Sequence, residues 1–157
     1  MKKLLLMLIV LSGVVKANDQ IYIGSSSISF EKKDWFHFKT KSLGMHMPHV
    51  FEKERDSSVK VYVEASSWFQ KGNLQKVQKS FCKSGKQFNR SMIEIAKRSL
   101  CFEQNDDGIV VYEIGKSNTG PMNTVVSYFV PAKTTIERSR AIASVEEFLA
   151  ATRRSIK

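Results

Sequence analysis

The fold class follows from residues 105–114, which read Asn105-Asp106-Asp107-Gly108-Ile109-Val110-Val111-Tyr112-Glu113-Ile114. The first four residues are a strong turn signal, and a strongly β-forming run comes directly after them. We therefore predict a strand at 109–114 that pairs with a strand on the other side of the turn. The apolar spacing of residues 91–103 suits either a strand or a helix, and the turn at 105–108 favours the strand.

Further strands are predicted on both sides of this stretch. Residues 59–65 alternate, with Val59, Val61 and Val63 on one face, and they form a hairpin with residues 50–55. Residues 56–58 are predicted to be the turn of that hairpin. The other predicted strands are residues 35–39, residues 123–130 ahead of Pro131, an edge strand within 18–29 and a last strand at 136–142.

A mid-chain helix is predicted after the cap Gly72-Asn73, and it ends at Gly85 or just after. Its apolar residues fall on one side of the helical wheel. This core stripe consists of Leu74, Val77, Phe81 and Phe88.

A second helix is predicted at the C-terminus. Ser144 and Glu147 have the spacing of a capping box, so the helix begins at Ser144. Its predicted apolar face is Val145, Phe148, Leu149, Thr152 and Ile156, and the basic residues of its last turn are Arg153, Arg154 and Lys157. The order of elements predicts an α+β fold, an antiparallel sheet with one mid-chain helix and one C-terminal helix packed on it.

The N-terminus is predicted to be a cleaved signal peptide over residues 1–17. Lys2 and Lys3 precede an apolar run at 4–15, and small residues flank Lys16 ahead of a cleavage site between Ala17 and Asn18. The alternative is a membrane anchor, but the run is shorter than the ~20 residues that span a bilayer. Residues 18–157 then form one exported domain, periplasmic or secreted and not transmembrane. Removal of three lysines with the signal peptide lowers the formal charge from +10 to +7.

The chain contains two cysteines, Cys82 and Cys101. In an oxidising compartment two cysteines most simply form one disulfide. Two buried free thiols are the alternative. A shared metal is disfavoured, because neither cysteine lies in a CxxC motif or near a histidine.

The C-terminal region resembles the end of PsbP/DcrB-like domains. The residues that carry the resemblance are Val125-Val126-Ser127-Tyr128-Phe129-Val130-Pro131, Val145-Glu146-Glu147-Phe148-Leu149 and Arg154-Ser155-Ile156-Lys157. The order of the elements is also similar. The resemblance implies a small secreted or lumenal α/β/α sandwich with an antiparallel sheet, and a non-enzymatic accessory or binding function. It implies no catalytic residues.

Positive charge on the mid-chain helix is the main indication of function. The lysines opposite the core stripe are Lys76, Lys79, Lys83 and Lys86. Such a face attracts an anionic protein, polymer or membrane surface. Nucleic acid is disfavoured as a partner, because Phe81 and Phe88 point into the core and leave no aromatic residues among the lysines for base stacking. The alternative interpretation is an ordinary solvated helix face.

A segment rich in methionine and histidine gives a second hypothesis. Met45, His46, Met47 and His49 lie within five residues, and their thioethers and imidazoles are ligands that Cu(I) accepts. A periplasmic copper-binding protein is therefore an alternative function. If the segment binds no metal, it is a loop or the start of a strand with its methionines packed inward, and the protein has no cofactor.

Sequence motifs of catalysis are largely missing. The chain has no GxSxG, HExxH or glycine-rich phosphate loop. The serines at 25–27 have no evident base, and Glu52 and Glu54 alternate with Lys53 and Arg55 as on a solvated strand. We therefore expect a non-enzymatic protein. A further alternative is a small hydrolase whose catalytic residues are distant in the sequence and come together only in the folded protein.

Overall fold

A computed structural model of the chain describes residues 18–23, 26–31, 34–39, 49–53, 56–68, 70, 72–85, 87, 89–116 and 123–156. The predicted signal peptide and the segment 40–48 lie outside these residues. The elements before the first helix are five strands: β1 (Asn18–Ile23), β2 (Ser26–Glu31), β3 (Trp35–Lys39), β4 (His49–Lys53) and β5 (Asp56–Trp68). The remaining elements are α1 (Leu74–Ser84), β6 (Ser91–Ile95), β7 (Arg98–Gln104), β8 (Gly108–Lys116), β9 (Asn123–Pro131), α2 (Thr135–Ala151) and β10 (Arg153–Ile156).

The strands form two antiparallel sheets. The larger has the order β3-β4-β5-β9-β8-β7-β6, and the smaller has the order β1-β2-β10. With one mid-chain and one C-terminal helix, the chain has the predicted α+β class, although strands dominate it. No helix in the described ranges has the length and apolar character needed to cross a membrane.

The two helices pack on opposite faces of the large sheet. Along β8, the side chains of Ile109 and Val111 enter the main core, which contains Val145, Phe148 and Leu149 of α2. Ile114, an odd number of residues further along β8, enters a second cluster that contains residues of α1. Because successive side chains of a strand point to opposite faces, α1 and α2 cover different sides of β8.

Aromatic rings fill the centre of the main core. Phe148 of α2 has its ring centroid 5.0 Å from that of Trp35 and 4.8 Å from that of Phe51. All three side chains are almost completely buried. Burial of a side chain of this size contributes about 1.5–3 kcal/mol to stability, so this contact holds α2 against β3 and β4.

The mid-chain strands agree with the prediction. Residues 91–103 form β6 and most of β7, an antiparallel hairpin, and Asn105 closes the turn before β8. Ala96 and Lys97, between β6 and β7, both have positive φ. That conformation suits the tight turn of a hairpin, whose backbone twist matches that of its strands.

Residues 56–58 are not the turn of the β4–β5 hairpin, contrary to the prediction. Residues 56–58 are the first residues of β5, and Lys53 pairs with Asp56. The hairpin itself is confirmed, because Phe51 pairs with Val61. The polar side chains of residues 56–58 are typical of turns, whereas Asp56 pairs with Lys53 and the register shifts between Glu52 and Lys53.

The beginning of the second helix was also predicted wrongly. α2 begins at Thr135, so the strand predicted at 136–142 is its first half. The capping box is formed by Thr134 and Glu137: the Thr134 side chain accepts from the backbone of Glu137, and the Glu137 side chain accepts from the backbone of Thr134. Ser144 lies within the helix, where its hydroxyl donates to the carbonyl oxygen of Arg140.

The C-terminal end of α2 differs from the prediction as well. The helix ends at Ala151 with Thr152 as its C-cap, and Arg153–Ile156 is strand β10, which pairs with β2. Arg153 and Arg154 therefore lie in a strand and not in the last turn of the helix. The Thr152 hydroxyl and amide both bond to the carbonyl oxygen of Phe148, which closes the helix there.

Candidate functional site

A disulfide joins α1 to β7 and fixes the orientation of the helix. Cys82 and Cys101 are bonded, both are buried, and their Cα atoms are 5.5 Å apart. The predicted pairing is confirmed. The second apolar cluster surrounds the bond and contains Val77, Phe81, Ile114 and Val125, with Trp68, Leu74 and Tyr112 packed against it. A disulfide is typical of proteins in an oxidising compartment outside the cytosol.

The exposed side of α1 is a lysine face, which we define as Lys76, Lys79 and Lys83. All three residues are exposed, and α1 contains no Asp or Glu. Among the described residues, none of the three takes part in an ion pair. Like charges three or four residues apart destabilise a helix by about 0.2–0.5 kcal/mol per pair, so this spacing weakens α1 and does not support it.

The fourth predicted lysine, Lys86, lies outside the described residues. α1 ends at Ser84 with Gly85 as its C-cap, because glycine interrupts helical structure readily. Phe88, the last residue of the predicted core stripe, also lies outside the described residues. Three lysines of the predicted face and three residues of the predicted core stripe, Leu74, Val77 and Phe81, are described, and the remaining residue of each set stays a prediction.

A small apolar hollow adjoins the lysine face. It has a volume of about 210 Å³ and lies between α1 and β6, where its lining includes Lys79, Lys83, Cys82, Arg90 and Met92. Met92 is 42% exposed, which is high for a large apolar side chain. The positive charges of this surface therefore adjoin an accessible apolar floor.

Arg90 lines the hollow and is held by a carboxylate and two aromatic rings. Its Nε donates to Oε2 of Glu103 at 2.7 Å, and its guanidinium carbon is 4.7 Å and 4.6 Å from the ring centroids of Phe81 and Tyr112. The Tyr112 hydroxyl also donates to Glu103, at 3.0 Å. Burial raises the pKa of Tyr112, and the Glu103 carboxylate raises it further. Since Glu103 balances the charge of Arg90, the lysines carry the positive charge of this surface.

Sequence reasoning missed a pair of histidines at the strand end of the Met/His segment. His49 is the first residue of β4 and is buried, and its Nδ1 lies 2.8 Å from Nε2 of His37 on β3. The rings stack with centroids 5.0 Å apart. The register of the β3–β4 hairpin brings them together, which the separate positions in the sequence do not indicate.

Met45, His46 and Met47 lie outside the described residues, so the copper hypothesis stays a prediction. In the ranges that the structure describes, no three His, Cys, Asp or Glu residues are placed to hold a metal ion. The ring of His49 stacks on His37, and the ring of His37 contacts Phe51 of the main core.

The other sequence candidates lie apart from each other. Ser27 is buried on β2, where its hydroxyl accepts from Nε2 of Gln20 at 2.8 Å. Glu52 lies 3.8 Å from Nζ of Lys60 across the β4–β5 hairpin, as expected for a solvated strand face. Glu54 and Ser25 lie outside the described residues.

A second hollow, also missed from the sequence, lies on the same face of the large sheet as α1, over the part that α1 does not cover. Its volume is about 420 Å³, and its lining consists of Tyr62, Glu64, Val110, Tyr112, Ser127 and Phe129. The strand register explains its shape. Ser127 lies between Glu64 and Tyr112, and Phe129 lies between Tyr62 and Val110 in the neighbouring row. The small serine thus forms a floor among larger side chains.

No family model and no curated protein match this chain. Among solved structures, a protein of Bacteroides thetaiotaomicron VPI-5482 is similar, with 17% sequence identity and a TM-score of 0.43. The match covers 89% of this chain and 49% of the other, so the present chain spans about half of that protein's length.

Proposed function

We propose that this protein is an exported, non-enzymatic binding protein that docks on an anionic partner or surface through the lysine face. The observation that carries the proposal is the set of three exposed lysines on one side of a helix that has no acidic residue. Their mutual repulsion weakens the helix, so helix stability does not account for the pattern. The disulfide from α1 to β7 holds the helix in place despite that repulsion.

The apolar hollow beside the lysines refines the proposal. An anionic partner that also offers an apolar group would contact Lys79 and Lys83 together with the exposed Met92. Such a combined contact adds burial of apolar area to attraction between charges, and salt screens only the second. We therefore expect binding that weakens with salt but is not abolished by it.

The disulfide and the predicted signal peptide favour a periplasmic or secreted location. The resemblance to PsbP/DcrB-like domains supports an accessory function without catalysis, and helices on both faces of an antiparallel sheet agree with it. Recovery of the protein from the cell envelope or medium with its N-terminus at Asn18 is the expected result for this location. Recovery of a full-length reduced chain from the cytosol would contradict it.

The test of docking is charge reversal. Chains with Lys76→Glu, Lys79→Glu and Lys83→Glu should lose most of their binding to an anionic probe, either phosphatidylglycerol vesicles in sedimentation or polyglutamate on a column. The two probes distinguish a lipid surface from an acidic polymer, and phosphatidylcholine vesicles show binding that is independent of charge.

A matched control keeps the same change in net charge. Lys116→Glu, Lys133→Glu and Arg140→Glu alter exposed residues outside α1. This control should retain binding to the probe. If both triple variants bind equally, or if the unaltered protein binds neither probe, the docking proposal is wrong.

A further inference from the structure

On the face of the large sheet that carries α1, the part over β5, β9 and β8 contains an aromatic hollow, the six-residue site described above. It is separate from the lysine face, because α1 covers β6, β7 and only part of β8. From its composition we propose a second function, binding of a small quaternary ammonium compound.

Three aromatic side chains supply the first element of this site. Tyr62 and Phe129 are direct cross-strand neighbours, with ring centroids 6.0 Å apart and ring planes inclined by 49°. Tyr112 stands on the next strand, opposite Ser127. The faces of aromatic rings attract cations, and cages of such rings bind quaternary ammonium groups.

A carboxylate supplies the second element. Glu64 is exposed at the edge of the hollow, opposite Ser127. Among the described residues, no cation is paired with Glu64. Nζ of Lys60, two residues before Tyr62 on β5, lies 3.8 Å from Glu52, and Arg90, which lies against the ring of Tyr112, is bonded to Glu103. Glu64 thus places a carboxylate, unpaired among the described residues, at the hollow in a protein with a formal charge of +10.

The shape of the hollow selects among cations. The rings of Tyr62 and Phe129 are inclined to each other by 49°, so they do not form the parallel-sided slot that a planar guanidinium fits. A lysine ammonium is compact but strongly hydrated, so it loses more solvation on entry. The methyl groups of a tetrahedral quaternary ammonium can contact rings that are inclined to each other, and such a cation gives up little hydration.

The test is a titration of the full chain with choline, followed by the amide chemical shifts of β5, β8 and β9. The neutral isostere 3,3-dimethylbutanol has the same shape without the charge. We expect saturable choline binding at the hollow and weaker binding of the isostere. Equal binding of the two compounds, tighter binding of guanidinium, or no saturation with choline would overturn the proposal.

Two substitutions locate the site. Glu64→Gln preserves the shape of an exposed side chain, and Tyr62→Leu removes a ring but keeps apolar volume. Each should weaken choline binding by about two- to five-fold, as for cation–π and charge contacts at exposed sites. Glu94→Gln on β6 is the matched control and should bind as the unaltered chain does. If Glu64→Gln and Glu94→Gln bind choline equally well in folded protein, the carboxylate has no part in the site.

Discussion

At the scale of single residues, Tyr112 contributes to both surfaces. Its ring packs against the guanidinium of Arg90 beside the lysine face, and it also lines the aromatic hollow. Its raised pKa has a consequence for stability at alkaline pH. The unfolded chain loses the tyrosine proton near the ordinary value of 10.0, whereas the folded chain holds it longer. Unfolded protein is therefore favoured as the pH rises through that value, and the contribution of Tyr112 is fully present only below it.

We expect the urea concentration at the midpoint of unfolding to decrease as the pH is raised from about 8 to about 11. Tyr112→Phe should make that decrease smaller. Tyr22→Phe alters an exposed tyrosine and serves as the control, which should show the same fall as the unaltered chain. An undiminished fall in Tyr112→Phe would show that other groups cause the whole effect.

The residue types at both surfaces can be read from the sequence, but their neighbours cannot. Arg90 lies near Glu103 only because β6 and β7 form a hairpin, and Tyr112 is added by the register of β8. The aromatic hollow depends on three strands that include the distant pair β5 and β9. Local patterns identify a strand and its two faces, whereas the partners on each face are set by the long-range pairing.

At the scale of elements, the beginning of α2 yields the second prediction. Thr134→Ala removes one side of the capping box and should lower the free energy of unfolding by about 1 kcal/mol, the usual cost of a lost N-cap. Ser144→Ala is the matched control, since Ser144 lies inside the helix and alanine favours helix formation. Urea unfolding curves of the two variants provide the measurement. A larger loss in Ser144→Ala than in Thr134→Ala would contradict the assigned cap.

The helix start was missed for a physical reason. Both Thr134 and Ser144 have a glutamate three residues later, so the sequence contains two equivalent capping signals. The β-branched residues Ile136 and Ile142 favoured a strand ahead of the second signal. Burial of Ala141 and Val145 on the same helical side decides between them, and that requires knowledge of the sheet beneath. By contrast, α1 has a single cap at Asn73 and was predicted correctly there.

At the scale of the whole molecule, the disulfide accounts for a large share of the stability of the α1 side. Cys82→Ala with Cys101→Ala should lower the free energy of unfolding by about 3 kcal/mol, from the closure of a loop of 19 residues. The loss should be greatest at α1, whose apolar cluster is smaller than the main core. Amide hydrogen exchange of α1 compared with β5 and β9 measures this difference. Unchanged protection of α1 in the variant would refute it.

The small sheet joins strands from the two ends of the described chain. β10 pairs with β2, and every strand of the large sheet lies between these two in the sequence. During synthesis, β10 is made after every other described element, so one edge of β2 stays unpaired until then. An unpaired strand edge is a template for foreign strands. Completion of this sheet therefore ends the period in which the nascent chain is most exposed to misassociation, and removal of β10 would make that period permanent.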